Sequence, residues 1–429
     1  MSLVESRSVT VDIGTSGASE VAVDGGPVAG GLVYEEFLSQ AALGMRSSDI
    51  RDMFALTEAG DVISFAGGFP TPDAFPAEQA ARLMERVARD KAGASLQYGP
   101  TEGIGELRMA VAELMRRRGV PATTPNEILL TAGSQQALDL IARSFADPLS
   151  PVLVELPGYV GGLNAVLASR GRLIGCPTDA QGLIPEALVE ILARLAATGE
   201  RARFLYIIPN FNNPAGTLLP LARRQRLVEI ARRFNLLIVE DDAYGELYFD
   251  ERPPVPLRAL APERVIYLGS FSKVFLPGLR VGWINGPELL LAKLAVAKQA
   301  ADLCSSTFGQ YVVLEWLKEG TWQEHTNSLR ALYRRRRDRM LAALRRYFPP
   351  SAQYTVPSGG FFFWVTLPDL SCTTRELLVH ALARGVAYVP GTGFCVDGSG
   401  ERSLRLSFSQ VEEAKIEEGI RRLGEVFAG

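Results

Sequence analysis

The chain has 429 residues, 45 Lys plus Arg against 48 Asp plus Glu, and a formal net charge of -3, so charge makes no case for nucleic acid or an anionic membrane. Two histidines leave almost no material for a histidine metal site or a Ser-His-Asp triad. No apolar run reaches membrane-spanning length, and Cys176, Cys304, Cys372 and Cys395, which lack CxxC spacing, read as reduced thiols of a cytoplasmic protein.

Residues 1–31 are rich in Gly, Ser and Val, lack the basic start and apolar stretch of a signal peptide, and read as a flexible arm. Residues 32–60 are expected to pack with a small domain, 61–310 to form a large domain, and 311–429 to form a small C-terminal one. From about Asn126 short Val/Ile/Leu runs alternate with helical stretches. They begin at Glu127–Thr131, Val152–Glu155, Phe204–Ile208, Leu236–Glu240, Val265–Leu268 and Val281–Ile284. Near-continuous apolar runs mark strands covered on both faces, and helices between them make βαβ units of a mostly parallel sheet. Ligands of such sheets bind beyond the carboxyl ends of the strands. Beyond residue 311 comes a long helical stretch whose run Arg334-Arg335-Arg336-Arg337 reads as a solvated face.

Each strand end carries polar residues with two readings. Gly133 and Ser134 form either a plain helix cap or an anion site on free backbone N–H groups. Tyr159 either packs or stacks on a flat ring. The segment Pro209 to Thr217 is turn chemistry in which Asn213 can donate to a ring oxygen. Glu240-Asp241-Asp242 would hold Mg²⁺ for phosphoryl transfer, or aim one carboxylate at a pyridine nitrogen with Tyr244 beside it. No Gly-rich loop ending Gly-Lys-Ser/Thr supports the metal.

The fifth strand end is the most specific. Ser270-Phe271-Ser272-Lys273 and then Arg280 place one lysine, two hydroxyls and an arginine just past a buried element. A lysine in apolar surroundings beside a second cation can lose its proton near neutral pH and react with an aldehyde. Hydroxyls and a guanidinium suit a phosphate monoester. Together these residues point to pyridoxal 5′-phosphate.

With those motifs in place, the chain resembles the fold-type I, pyridoxal-phosphate-dependent class I/II aminotransferases, closest to the 2-aminoadipate aminotransferase-like branch. The resemblance runs from Ser48-Asp49-Ile50-Arg51 through Ser64 to Pro70, Leu96 to Gly103, the Gly133 turn, Asn213-Pro214, Asp241 to Tyr244 and the Lys273 segment. It closes with Pro357 to Phe361, Val389-Pro390-Gly391 and Leu404 to Ser409. It implies an α/β fold, with a large domain built on a mostly parallel seven-stranded sheet and a smaller α+β domain.

It also implies residue roles. Lys273 would carry the cofactor and shuttle the substrate Cα proton. Asp241 would pair with the pyridine nitrogen, Asn213 and Tyr244 with the ring oxygen, and Tyr159 would cover a ring face. Ser134, Gln135, Ser270, Ser272 and Arg280 would surround the phosphate. Tyr98 would reach the neighbouring subunit's site, giving a homodimer with shared active sites. Arg405 would clamp the substrate α-carboxylate beside Gly68, while Ser48 and Arg51 would lie near the substrate side chain. Phe69, Leu303 and Phe361 suggest room for aliphatic or aromatic side chains, and Arg51 suggests acidic ones.

The family usually reads Phe-Gln-Asn-Pro-Thr-Gly where this chain has Phe211-Asn212-Asn213-Pro214-Ala215-Gly216. The arm 1–31 has no counterpart in the pattern. The expected reaction moves an amino group from an α-amino acid to a 2-oxo acid such as 2-oxoglutarate in a ping-pong cycle. A lyase, decarboxylase or oxidase on the same fold is the alternative chemistry. A non-catalytic regulator is disfavoured because about thirty residues before the match are too few for a winged helix-turn-helix. A dehydrogenase is disfavoured because no Gly-x-Gly-x-x-Gly follows the first strand.

Overall fold

A computed structural model describes residues 34–43, 62–121 and 123–428. Its residues fall into two compact units split after Leu43. The described part of the first holds a short 3-10 turn, Tyr34–Phe37, and one helical turn, Gln40–Leu43, capped by Ala42 N donating to Ser39 Oγ. The expected arm 1–31 and the motif Ser48 to Arg51 lie outside the described residues.

In the second unit β1 (Ile63–Ser64) precedes a large sheet made of β2 (Ile128–Thr131), β3 (Pro151–Leu156), β4 (Arg172–Asp179), β5 (Gly182–Leu183), β6 (Phe204–Ile207), β7 (Leu237–Asp241), β8 (Val265–Ser270) and β9 (Gly282–Asn285). Their spatial order is β2-β9-β8-β7-β6-β3-β4-β5. The sheet therefore has eight strands, the seven expected plus the two-residue edge strand β5. Strand β4 lacks an apolar run in sequence because it lies near the sheet edge with half-buried and exposed residues, which do not need to be uniformly apolar.

Neighbouring pairs from β4 to β8 run parallel, while β9 runs antiparallel to both β2 and β8. The reversal of β9 matters for the site. Because Gly282 pairs with both Thr131 and Ser270, the residues just before β9 start at the edge where β2, β3, β6, β7 and β8 end. Arg280 is thus delivered to the same edge as Ser270 by the one long strand that runs backwards.

Every residue of β2, β6 and β8 is buried, as strands covered on both faces require. Helices with apolar residues three and four apart supply the cover; Ala77–Asp90 buries Ala80, Leu83 and Val87. Under the turn that carries Lys273, Phe275 stacks on Trp316 at 4.0 Å and Phe271 lies 5.0 Å from Trp283. Replacing a buried Trp such as Trp316 by Ala costs about 3–5 kcal/mol.

The C-terminal part holds an antiparallel sheet of β10 (Gln353–Tyr354), β11 (Phe362–Thr366), β13 (Val389–Pro390) and β14 (Ser403–Ser407) in the order β10-β11-β14-β13. A two-residue strand β12 (Val386–Ala387) pairs in parallel with β1. The 26-residue helix Trp322–Tyr347 packs on the C-terminal helix Glu413–Ala428. Its arginine run is not wholly solvated. Arg336 and Arg337 are buried, donating to Ser409 O and Pro357 O, because a helical rotation of about 100° per residue cannot keep four successive side chains on one face. No described helix is long and apolar enough to cross a membrane.

Candidate active site

Side chains from successive strand ends of the large sheet meet β14 of the small one. Lys273, three residues past β8, is half-buried, and its Nζ donates to Gly68 O at 3.0 Å. The amine stands 5.9 Å from the Tyr244 ring centroid and 5.8 Å from that of Phe69. Burial, aided by the Arg280 and Arg405 charges and opposed by Asp241, pushes its pKa down to about 8.

The acidic cluster is sorted by strand alternation. Glu240 takes the N–H groups of Leu257 and Arg258. Asp242 takes Asn210 Nδ2, Tyr267 Oη and an ion pair from Arg118 at 2.6 Å. Asp241 differs. Its Oδ2 accepts from Tyr206 Oη at 2.9 Å, but its Oδ1 is buried and has no partner. Burial raises Asp241 to about 7, the Tyr206 hydrogen bond working the other way. Among the described residues no group of three or more acids, histidines or cysteines is placed to hold a metal, and Glu240, Asp241 and Asp242 each turn to different partners. Tyr206 was not singled out in sequence, since one tyrosine in an apolar strand reads as packing.

Gly133, with φ +80°, opens the helix Ser134–Phe145 as its N-cap. Ser134 is therefore the first helical residue and not the capping one, and no side chain caps this helix. A Cβ at Gly133 would fall on Arg280 Nη2, so only glycine lets the guanidinium lie there. Arg280, itself left-handed at φ +53°, donates to Ser272 Oγ at 3.3 Å and to Ala132 O at 3.1 Å. Ser270 and Ser272 are buried beside it, with Ser272 N donating to Ser270 Oγ. Gln135 Nε2 donates to Gly161 O at 2.9 Å, across from the start of the helix that Tyr159 precedes. Tyr159 is half-buried and lies within the fields of Asp241, Arg405 and Arg280; burial raises its hydroxyl pKa.

Arg405 on β14 is buried. It donates from Nη1 to Asn213 Oδ1 at 2.9 Å and from Nη2 to Ala66 O at 2.5 Å, and its guanidinium lies 4.5 Å from the Phe362 ring. Its Nε is buried and unpartnered. Burial lowers Arg405 to about 10, still charged at neutral pH. Asn213 also hydrogen-bonds Tyr244, whose hydroxyl burial drives well above its ordinary value. A Cβ on Gly68 would come within 3.0 Å of Phe362 and 3.9 Å of Arg405 Nη1, so the chain passes close against the clamp.

One expectation fails here, at Phe361, while Tyr98 is expected at a neighbouring subunit's site and not at this one. Tyr98 is 78% exposed in the single chain. Ser48 and Arg51 lie outside the described residues. Phe361 is fully buried between Tyr244 and Tyr333, at 5.4 and 4.8 Å, and offers no face to a substrate.

The model of aminotransferase class I and II matches residues 60–423. Aromatic-amino-acid aminotransferase 1 of Thermococcus litoralis is 42% identical over 395 residues, covering 92% of this chain and 94% of that protein. The 2-aminoadipate transaminase of Thermus thermophilus is 44% identical, covering 93% of this chain and 98% of that protein. The crystal structure of LysN, an alpha-aminoadipate aminotransferase from Thermus thermophilus, complexed with N-(5′-phosphopyridoxyl)-L-leucine, matches with a TM-score of 0.86 and 42% identity, over 93% of this chain and 99% of that one.

The cofactor is pyridoxal 5′-phosphate, and the residues present fit it. An unpartnered carboxylate oxygen suits the N–H of a pyridinium, a depressed lysine suits an aldehyde, and hydroxyls at an uncapped helix start beside a guanidinium suit a phosphate. A family match over most of the length and a sheet edge built for this cofactor lead to one conclusion: the chain belongs to the class I and II aminotransferases and has the type I fold of pyridoxal-phosphate enzymes.

Proposed function

We propose that the chain moves the amino group of 2-aminoadipate, or of an aliphatic or aromatic α-amino acid, to a 2-oxo acid such as 2-oxoglutarate in a ping-pong cycle. The observation that carries this reading is the joint placement of Lys273, the vacant oxygen of Asp241 and the unpartnered Nε of Arg405 around one site. The names of the relatives, an aromatic and a 2-aminoadipate enzyme, support the same donor range.

When bound, pyridoxal 5′-phosphate supplies the sink for the electron pair left on substrate Cα. Lys273 holds the cofactor and, once released, moves the proton from that carbon. A pKa of about 8 keeps a useful fraction of its amine neutral at physiological pH. Gly68 O is the acceptor that holds the amine when it carries a proton. Asp241 would hold the pyridine nitrogen with its unpartnered Oδ1, while Tyr206 fixes its other oxygen. Asn213 and Tyr244 orient the ring oxygen, Tyr159 covers one ring face, and Ser134, Gln135, Ser270, Ser272 and Arg280 enclose the phosphate. Arg405, aided by Gly68, grips the α-carboxylate and so sets which Cα bond faces the ring.

The exposed Tyr98 is placed by this reading at the partner's site in a homodimer, and Ser48 and Arg51 near the substrate side chain. The reading also divides the chain into a large cofactor domain, 61–310, and a small domain, 311–429, in the cytoplasm. The test is a screen of amino donors with 2-oxoglutarate, read as oxo-acid product. Turnover of 2-aminoadipate and of leucine or phenylalanine is expected; turnover of none would overturn the donor range.

A further inference from the structure

Lys298 is among the most deeply buried charged groups of the molecule, with a fully buried side chain, and no role above accounts for it. Its Nζ donates to Asp302 Oδ1 at 2.9 Å, one helical turn on in Glu288–Asp302. Burying an ammonium costs several kcal/mol, far more than an exposed pair of this spacing returns. What Asp302 does next is therefore informative. Its Oδ2 accepts from Gln136 Nε2 at 2.7 Å and from Ser305 Oγ at 3.3 Å. That fixes which way the Gln136 amide points, and its Oε1 accepts from Ala132 N at 2.7 Å. The carbonyl of the same Ala132 accepts from Arg280 Nη2.

We infer that Lys298, Asp302 and Gln136 are positioning residues for the phosphate cup, holding the Thr131–Gly133 turn and Arg280 so that the helix start at Ser134 faces the phosphate. The inference rests on the cofactor reading above and concerns only how the phosphate end is held. The carboxylate is needed because it takes the Gln136 donor and so leaves Oε1 facing the turn, where Ala132 N meets it. The ammonium is needed because an uncompensated carboxylate behind the cup would oppose a phosphate dianion. Without the set, the amide of Ala132 loses its acceptor and Arg280 loses a fixed carbonyl.

Two variants of the full chain, stripped of cofactor, reach this turn from opposite ends. K298M/D302L removes the ion pair without stranding a charge, and Gln136→Met leaves the pair intact. Dissociation constants are read for pyridoxal 5′-phosphate and for pyridoxal, which lacks the phosphate, by visible absorbance and equilibrium dialysis. Both variants should weaken pyridoxal 5′-phosphate by about tenfold or more, with pyridoxal held within about twofold. Equal weakening of both compounds, or of neither, overturns the inference. If K298M/D302L loses its fold, judged by circular dichroism, the Gln136 variant decides alone. A wild-type chain that binds neither compound overturns the cofactor reading and this inference with it.

Discussion

Glu240 and Asp241 are neighbours on one strand and both buried, yet their oxygens meet opposite surroundings. Glu240 receives two backbone N–H groups, whereas Asp241 has one oxygen bonded to Tyr206 and one bonded to nothing. Two buried arginines repeat the contrast. Arg258 donates from Nε to Asn285, from Nη1 to the carbonyls of Pro262 and Val265, and from Nη2 to Glu127. Arg405 keeps a buried Nε with no acceptor. An unmade hydrogen bond to a buried charged group costs more than about 1–3 kcal/mol. Arg264 Nε and Arg336 Nε are also buried without a partner, so vacancy alone marks nothing; what sets this place apart is that Asp241 Oδ1 and Arg405 Nε are both vacant around one lysine whose charge they influence.

The contrast breaks most visibly at the lysines. Lys273→Ala should lower kcat by at least about 10⁴-fold, with circular dichroism unchanged, if its amine takes the Cα proton as proposed. Next come the acids. Asp241→Asn should lower kcat by about 10²–10³-fold with the melting temperature nearly unchanged. Glu240→Gln should cost about 1–3 kcal/mol of stability, measured by urea unfolding, with kcat within about threefold. If Glu240→Gln proved the worse for turnover, the two roles would be reversed. For the arginines, Arg405→Lys should raise KM for every donor by about tenfold or more, because an ammonium cannot pair bidentately. Arg258→Met should leave KM alone and cost about 3–5 kcal/mol in unfolding, because its partners stay buried.

The smallest effect is in pH. A lysine lowered to about 8 is protonated and unreactive below that value and neutral above it. Capture of pyridoxal 5′-phosphate by the cofactor-free chain, followed as a rise in visible absorbance, should therefore quicken up to about pH 8 and then level. Arg280 lowers the lysine by charge, so Arg280→Met should shift that midpoint upward. An unchanged midpoint would mean that the arginine acts on the phosphate alone and not on the lysine.

The strand ends were legible because a buried parallel strand is an apolar run, and polar residues after it stand out. The same rule hid β4, whose partly exposed residues form no run, and Tyr206, whose hydroxyl matters only because Asp241 lies on the adjacent strand. Arg280 was found by its nearness to Lys273 in sequence, but the antiparallel turn that brings it beside Gly133 is a tertiary fact. Phe361 was misplaced because composition shows that an aromatic is near the site, not which side of Tyr244 it packs on. The chain from Lys298 to Ala132 joins residues 166 positions apart through Gln136 and Asp302, a link without any local pattern. Asn212, where the family usually has Gln, still reaches Glu155 Oε2 at 2.7 Å and so leaves Asn213 in place.

The central claim is that the amine of Lys273 carries the cofactor. Borohydride reduction of the purified yellow protein, followed by peptide mass analysis, tests it most directly. The account predicts a phosphopyridoxyl adduct on the peptide containing Lys273 and on no other. A protein that stays colourless in excess pyridoxal 5′-phosphate, or an adduct on a different lysine with Lys273 unmodified, would contradict it.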